Sequence, residues 1–286
     1  MAIGFTTVLL FGLTVLLQAF LVRDGIGASA AVGARYLVAG LVCLGIVRLT
    51  GRSLVPAHGE FRAAVLLGAV VYGPQAILFY AALGHGTVAS VSLLFYTYPL
   101  LVLMASLLLR QLKWSWVAGT SAALSVGGAA AVVGSGRQLT IDGEGVALAL
   151  GSAACVAVFL LANDRLIPRT SALVSAAWVS FGVALSTLGV AAARGEVHMF
   201  SAKSWLILVA AGAATGLGTA GMYQTLSALG PPSTSVLLSL QTVVAIAGAA
   251  LLLGEPVLLG QVAGGLGILA AIALAAWGRR VSATSR

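Results

Sequence analysis

The chain has 286 residues, 60% of them hydrophobic and only 8% charged, with a formal net charge of +8. Soluble domains run nearer roughly 45–50% apolar and about 25% charged, which excludes water as the solvent for most of this surface. The positive charge does not point to nucleic acid either, because the basic residues lie scattered between apolar stretches and no cluster is longer than Arg279-Arg280.

Ten apolar spans are predicted, at about 3–22, 28–47, 63–83, 87–109, 114–134, 145–163, 171–193, 204–226, 233–253 and 257–278. Each reads as a helix, since backbone polar groups in lipid must be satisfied within the segment and the alternation of a barrel strand is missing. The first span places Thr7, Phe11, Thr14 and Gln18 on one face. Ala28-Ser29-Ala30 resembles a cleavage site, yet residues 1–22 lack a basic leader and their apolar run is too long for a signal peptide. In the second span stands Arg35, the one charge well inside a span. An Arg at a helix centre costs roughly 2.5–3.5 kcal/mol on insertion scales. It therefore either snorkels to the interface, pairs with Asp24 or a carbonyl, or serves as a cation at the mouth of a cavity. Cys43 and Cys155 both fall inside apolar spans and read as packing residues.

The third span carries Tyr72, Gln75, Phe79 and Tyr80 around Gly73-Pro74, where the missing N–H predicts a kink and a plausible gate. His85 follows as an exposed loop residue. In the fourth span Ser92, Tyr96 and Pro99 share an i, i+4, i+7 stripe, with Tyr98 at similar depth. The longest polar connection in the middle of the chain, residues 135–144, separates a first unit, 1–134, from a second, 145–278, with 279–286 as a tail. The sixth span aligns Ser152, Cys155, Phe159 and Asn163. From Trp205 to Leu253 no charged side chain occurs, a run far longer than the roughly 30 Å hydrocarbon core requires. The chain must turn back within it, and Gly230-Pro231-Pro232 is the place.

The second unit repeats the first. Laid without gaps on Tyr80–Leu109, the segment Tyr223–Leu252 pairs Tyr80 with Tyr223, Leu83 with Leu226, Ser90 with Ser233 and Ser92 with Ser235. The ninth span accordingly holds its own stripe of Ser235, Ser239 and Thr242, with Gln241 at the depth of Tyr98. Basic residues set the orientation. With the N-terminus inside, ten of them, Arg48 through Arg286, fall in cytoplasmic loops and the tail, against Arg23, Arg137, Arg194 and Lys203 outside. Five spans per unit then force the second unit into the membrane upside down relative to the first. The expected fold is an all-α polytopic membrane protein of ten transmembrane helices in two inverted five-helix repeats.

The order of these features resembles the EamA-type transporters of the drug/metabolite transporter superfamily. The residues that carry the likeness are Arg35, Tyr80-Ala81-Ala82-Leu83, Leu93 through Leu100, and Leu251 through Pro256 followed by Gly264. The resemblance implies export or permeation of amino acids and small metabolites. The chain departs from the family pattern at Gln241-Thr242, where Glu-Pro is usual, and at Arg110-Gln111, where Gly-Glu is frequent. The first change removes an intramembrane carboxylate.

Gln18, Tyr72, Gln75, Phe79, Tyr80, Ser92, Tyr96, Tyr98, Phe159, Tyr223, Ser239, Gln241 and Thr242 are therefore the expected substrate contacts, with Arg35, Pro74 and Pro99 as gating or cavity-mouth residues. Two other roles compete for these residues. Ser and Thr in membrane helices also serve as packing glue, and Tyr near helix ends as interfacial anchors. No cofactor or metal is expected, and no zinc, phosphate-loop or nucleophile-elbow motif marks an enzyme. The expected partners are a small-molecule substrate and the lipid bilayer of a bacterial-type inner membrane, with no nucleic acid, for a monomer or weak homo-oligomer.

Overall fold

Residues 2–23, 27–86, 88–110, 115–134, 141–196, 201–241, 243–244, 247 and 259–284 are described in a computed structural model, and their regular structure is helical apart from one bridge between Gly86 and Ile141. The helices are α1 (Ala2–Arg23), α2 (Ala28–Leu49), α3 (Glu60–Leu66), α4 (Gly73–Ala82), α5 (Val88–Phe95), α6 (Tyr98–Leu108), α7 (Trp116–Gly134), α8 (Gly143–Leu166), α9 (Ala172–Ala193), α10 (Ala202–Leu238) and α11 (Leu259–Thr284). Five segments among the described residues, 28–49, 60–82, 143–166, 172–193 and 202–238, are long and apolar enough to cross a membrane. Leu9, Leu41, Val70, Val158, Leu185 and Leu206 stand exposed, an exterior suited to acyl chains.

Each departure from a straight rod has a local cause. The third span is one rod in which a π-helical turn, Leu67–Tyr72, joins α3 to α4. The N–H of Gly73 reaches back five residues to the carbonyl of Gly68, and Pro74, which has no N–H to donate, follows at once. The fourth span is not continuous as predicted. It breaks at Tyr96-Thr97, because Pro99 cannot donate to the carbonyl of Phe95, and the Thr97 hydroxyl donates to Leu94 O at 2.7 Å instead. Within α10, Gly230 adopts φ 73°, ψ 168°, left-handed backbone that glycine reaches without strain. The chain reverses there. A methyl group added at Gly4 would lie 2.5 Å from Leu237 Cδ2 and 3.6 Å from Thr225 Oγ1. A straight helix would separate those two residues by about 18 Å.

The helices pack in a scheme that repeats between the two units. From the first unit, α1 runs antiparallel to the first part of α10 of the second, with Phe11 against Gly218 and the hydroxyls of Thr14 and Thr215 3.4 Å apart. From the second unit, α8 runs antiparallel to α4 of the first, with Ser152 on Gln75 and Gly151 beside Leu78. Likewise α2 lies parallel to α10, Arg35 O near Gly212 and Ala39 near Gly216, while α9 lies parallel to the π turn, Val179 near Gly68 and Ser186 near Gly73. The equivalent helices α2 and α9 also meet, antiparallel, Gly33 meeting Leu188 and Gly40 meeting Phe181. The main core lies among these helices, around Val32, Tyr98, Val102, Phe159, Leu160 and Val183. Most buried threonines satisfy themselves inside their own helix: Thr7, Thr14, Thr187, Thr215 and Thr225 each donate to the carbonyl four residues back. For these residues packing is a sufficient role.

Candidate functional site

A cavity of about 600 Å³ lies at the centre of the bundle, walled by α1, α2, α4, α5, α6, α8 and α10. Arg35, Tyr72, Gln75, Phe79, Tyr80, Ser92, Tyr96 and Tyr98 face it from the first unit, and Phe159 and Gln241 from the second. Its volume falls within the range of small-molecule sites, and its wall is mostly aromatic and aliphatic with a few polar groups, as in such sites. On α2, α4 and α5 the lining residues occupy the middle and the half toward His85, and none comes from the opposite end, where α3 begins at Glu60.

Two aromatic groups shape the interior. The Tyr72 ring lies 4.4 Å from that of Phe159 and meets Tyr36 edge to face at 6.1 Å. Phe95 joins Phe79, Tyr96 and Tyr98 at 5.1, 5.6 and 5.6 Å. Such contacts hold rings at fixed angles and leave their faces available to an apolar ligand. Gln75 is clamped: its side-chain amide donates to Ser152 Oγ at 3.1 Å, and the Ser152 hydroxyl donates to the Gln75 backbone carbonyl at 3.0 Å. Arg35 joins no ion pair among the described residues; its guanidinium sits 5.0 Å above the centre of the Tyr36 ring. Its Nε is buried without a hydrogen-bond partner.

Several expected contacts sit elsewhere. Tyr223 is buried at 5% exposure behind Phe159, ring centres 6.4 Å apart, with its hydroxyl unpartnered, so it is no interfacial anchor. Ser239 is fully buried and turned away from the cavity. It accepts from the Ser125 hydroxyl at 2.9 Å and donates to Ser235 O at 3.3 Å. Pro74 and Pro99 shape the backbone without lining the wall. Thr242, the Gln18 side chain and Asp24 lie outside the described residues. The two polar stripes thus part company: Ser92 and Tyr96 line the cavity, whereas the Ser235 hydroxyl donates to Pro232 O of its own helix at 2.7 Å and Ser239 is engaged by Ser125 of α7.

That difference traces to paired breaks. At Ser239-Leu240, the repeat position of Tyr96-Thr97, the Ser239 N–H donates to Val236 O at 3.2 Å rather than four residues back. The carbonyl left free, Ser235 O, accepts the Tyr98 hydroxyl at 3.2 Å. Tyr98 from one unit is thereby tied to the broken helix of the other. Sequence reasoning missed Tyr36 and Phe95 as lining residues, since an aromatic on an apolar face reads as core; adjacency to Arg35 was the available signal for Tyr36.

The ends of the bundle carry their own polar contacts. His85, expected as an exposed loop residue, lies in the turn after α4 and is engaged there: its Nδ1 lies 3.1 Å from Asp142 Oδ2, and its Nε2 lies 3.8 Å from Glu144. The hydrogen bond to Asp142 raises the His85 pKa above 6.5. Asp142, which caps α8 by accepting from the Gly145 N–H at 2.8 Å, is lowered below 3.8 by that bond first and by His85 second. At the opposite end the buried Glu60 carboxylate accepts from the N–H groups of Arg169 and Thr170 and from the Thr170 hydroxyl. Glu60 thereby pins the start of α3 to the loop before α9.

A family model described as "EamA-like transporter family" matches the chain twice, over residues 1–134 and 143–277. Among solved structures, 29 chains match. One of them, described only as "Crystal structure of protein", superposes with a TM-score of 0.85 at 18% identity, covering 98% of this chain and 97% of its own, a likeness of fold. No curated protein matches.

Proposed function

The chain belongs to the EamA-like transporter family and is a membrane transporter, and from that premise we propose that it moves small amphipathic metabolites, amino acids or related compounds, across the cytoplasmic membrane by alternating access, as an exporter or facilitator. One observation carries the reading: the central cavity is walled jointly by both family-matched regions, Arg35, Tyr72 and Tyr98 facing Phe159, Met222 and Gln241. A site on the seam between two units changes sides when one unit rocks against the other.

The packing scheme supports inversion of the units. Exchanging α1 with α8, α2 with α9, and the rod of α3 and α4 with the first part of α10 turns each antiparallel or parallel contact into its counterpart. Equivalent helices α2 and α9 run in opposite directions, as a two-fold axis in the membrane plane requires. With both termini cytoplasmic, the cavity faces outward and Glu60 closes the inner end. Among the described residues no carboxylate lines the wall, which favours facilitated diffusion or exchange over proton coupling.

Uptake into proteoliposomes, screened against amino acids, nucleosides and amines, tests the proposal. It expects saturable flux of an amphipathic member of the panel, loss of that flux on Tyr96→Ala or Gln241→Ala with insertion intact, and no acceleration by an imposed pH gradient. Flux that rises linearly with concentration would instead mark a channel. Clear acceleration by the gradient would overturn the coupling.

A further inference from the structure

We propose that Arg35 makes the cavity a site for singly charged organic anions, carboxylates on an aromatic or branched apolar body, in preference to zwitterions and amines. This rests on the transporter reading and, among its amphipathic metabolites, ranks carboxylates related to amino acids above the zwitterionic amino acids themselves. Among the described residues Arg35 is the only formally charged group on the wall, and no Asp or Glu lines the cavity with it. No described ion pair includes it, its buried Nε has no acceptor, and its guanidinium lies 5.0 Å from the centre of the Tyr36 ring. A ring face offsets only part of a guanidinium charge removed from water, so among the described residues the cation on the wall has no countercharge. A carboxylate supplies that charge and matches the planar donor fork of Arg.

The other two ligand classes fit less well. The ammonium of a zwitterion meets hydroxyls, the Gln75 and Gln241 amides and ring faces, but no carboxylate. An amine with no acid group brings a second positive charge beside Arg35, which repels it in a wall of low dielectric. Tyr72 and Phe159 on one side and Phe79, Phe95 and Tyr96 on the other offer flat apolar surface to a ring or branched chain.

The test uses the purified full chain in lipid nanodiscs and three probes with one body and different charges: 3-phenylpropionate, phenylalanine and phenethylamine, titrated by calorimetry. The expected order of affinity is 3-phenylpropionate first, phenylalanine second and phenethylamine last, with at least about tenfold between first and last. Arg35→Gln is expected to weaken 3-phenylpropionate by about tenfold or more while leaving phenethylamine unchanged or tighter, and Arg35→Lys to keep part of the preference. A wild-type chain that binds phenylalanine or phenethylamine as tightly as 3-phenylpropionate, or does not bind 3-phenylpropionate, overturns the proposal; so does Arg35→Gln weakening all three alike. If Arg35→Gln does not fold, the wild-type ranking and Arg35→Lys decide. Because binding is read without flux, failure of saturable uptake in vesicles refutes the transporter reading separately.

Discussion

Replacing Tyr98 by Phe removes one hydroxyl and nothing else, and the structure lets its effect be worked out. Tyr98 is 2% exposed and donates to Ser235 O, which also accepts from the Ser239 hydroxyl. Taking away one of two donors leaves that carbonyl satisfied, so Tyr98→Phe loses only an average membrane hydrogen bond, about 0.6 kcal/mol. In thermal unfolding of the purified protein that is a drop of roughly 1–2 °C. Ser239→Ala alone also leaves Ser235 O one donor, although the Ser125 hydroxyl loses its acceptor. The double variant strips both donors from a buried carbonyl whose backbone partner is already displaced. Orphaning it adds about 1–3 kcal/mol beyond the sum of the single effects. A double-mutant cycle on unfolding midpoints reads that coupling. Additivity to within about 0.3–0.5 kcal/mol would refute the shared-carbonyl lock.

Three further outcomes follow from contacts away from the cavity. A methyl at Gly182 would overlap the carbonyl oxygen of Val65 and crowd Gly68 Cα, so Gly182→Ala forces α9 off the third rod and destabilises by about 1–3 kcal/mol, measured as a lowered unfolding midpoint. Glu60→Ala strands the N–H groups of Arg169 and Thr170 and costs about 1.5–3 kcal/mol, with Glu60→Gln losing less. The His85–Asp142 pair gives a pH signature. His85 is raised above 6.5, so its contribution is present below that value and fades as pH rises through the folded pKa; Asp142 is lowered below 3.8, so its share is present above 3.8 and fades as pH falls. The midpoint difference between wild type and His85→Ala is therefore largest between those two values and vanishes at alkaline pH.

Much of the architecture was legible because lipid leaves a chain few options. The reversal at Gly230 could be read from a charge-free run too long for one crossing and from the glycine and prolines within it. Pro74 announced an irregular third rod, but not its π turn, since that geometry also depends on α9 packing against Gly68. Pro99 held the signal for the break at Tyr96-Thr97, which the reading of one continuous span passed over. The matching break at Ser239-Leu240 has no proline to betray it; it coincides with hydrogen bonds from Tyr98 and Ser125, and those are tertiary contacts. The same contacts explain why Ser239 sits buried against α7 while Ser92 lines the cavity. Helical spacing gives the angle between side chains, and a break rotates everything beyond it.

Alternating access requires one cavity that both membrane faces reach in turn. With Cys43 and Cys155 replaced by Ala, a single Ala76→Cys probe on the cavity wall, treated with a membrane-impermeant maleimide in right-side-out and inside-out vesicles, measures this directly. Labelling from both sides, slowed from both by a transported compound, is the predicted result. Labelling from one side only, whatever compound is present, would contradict it.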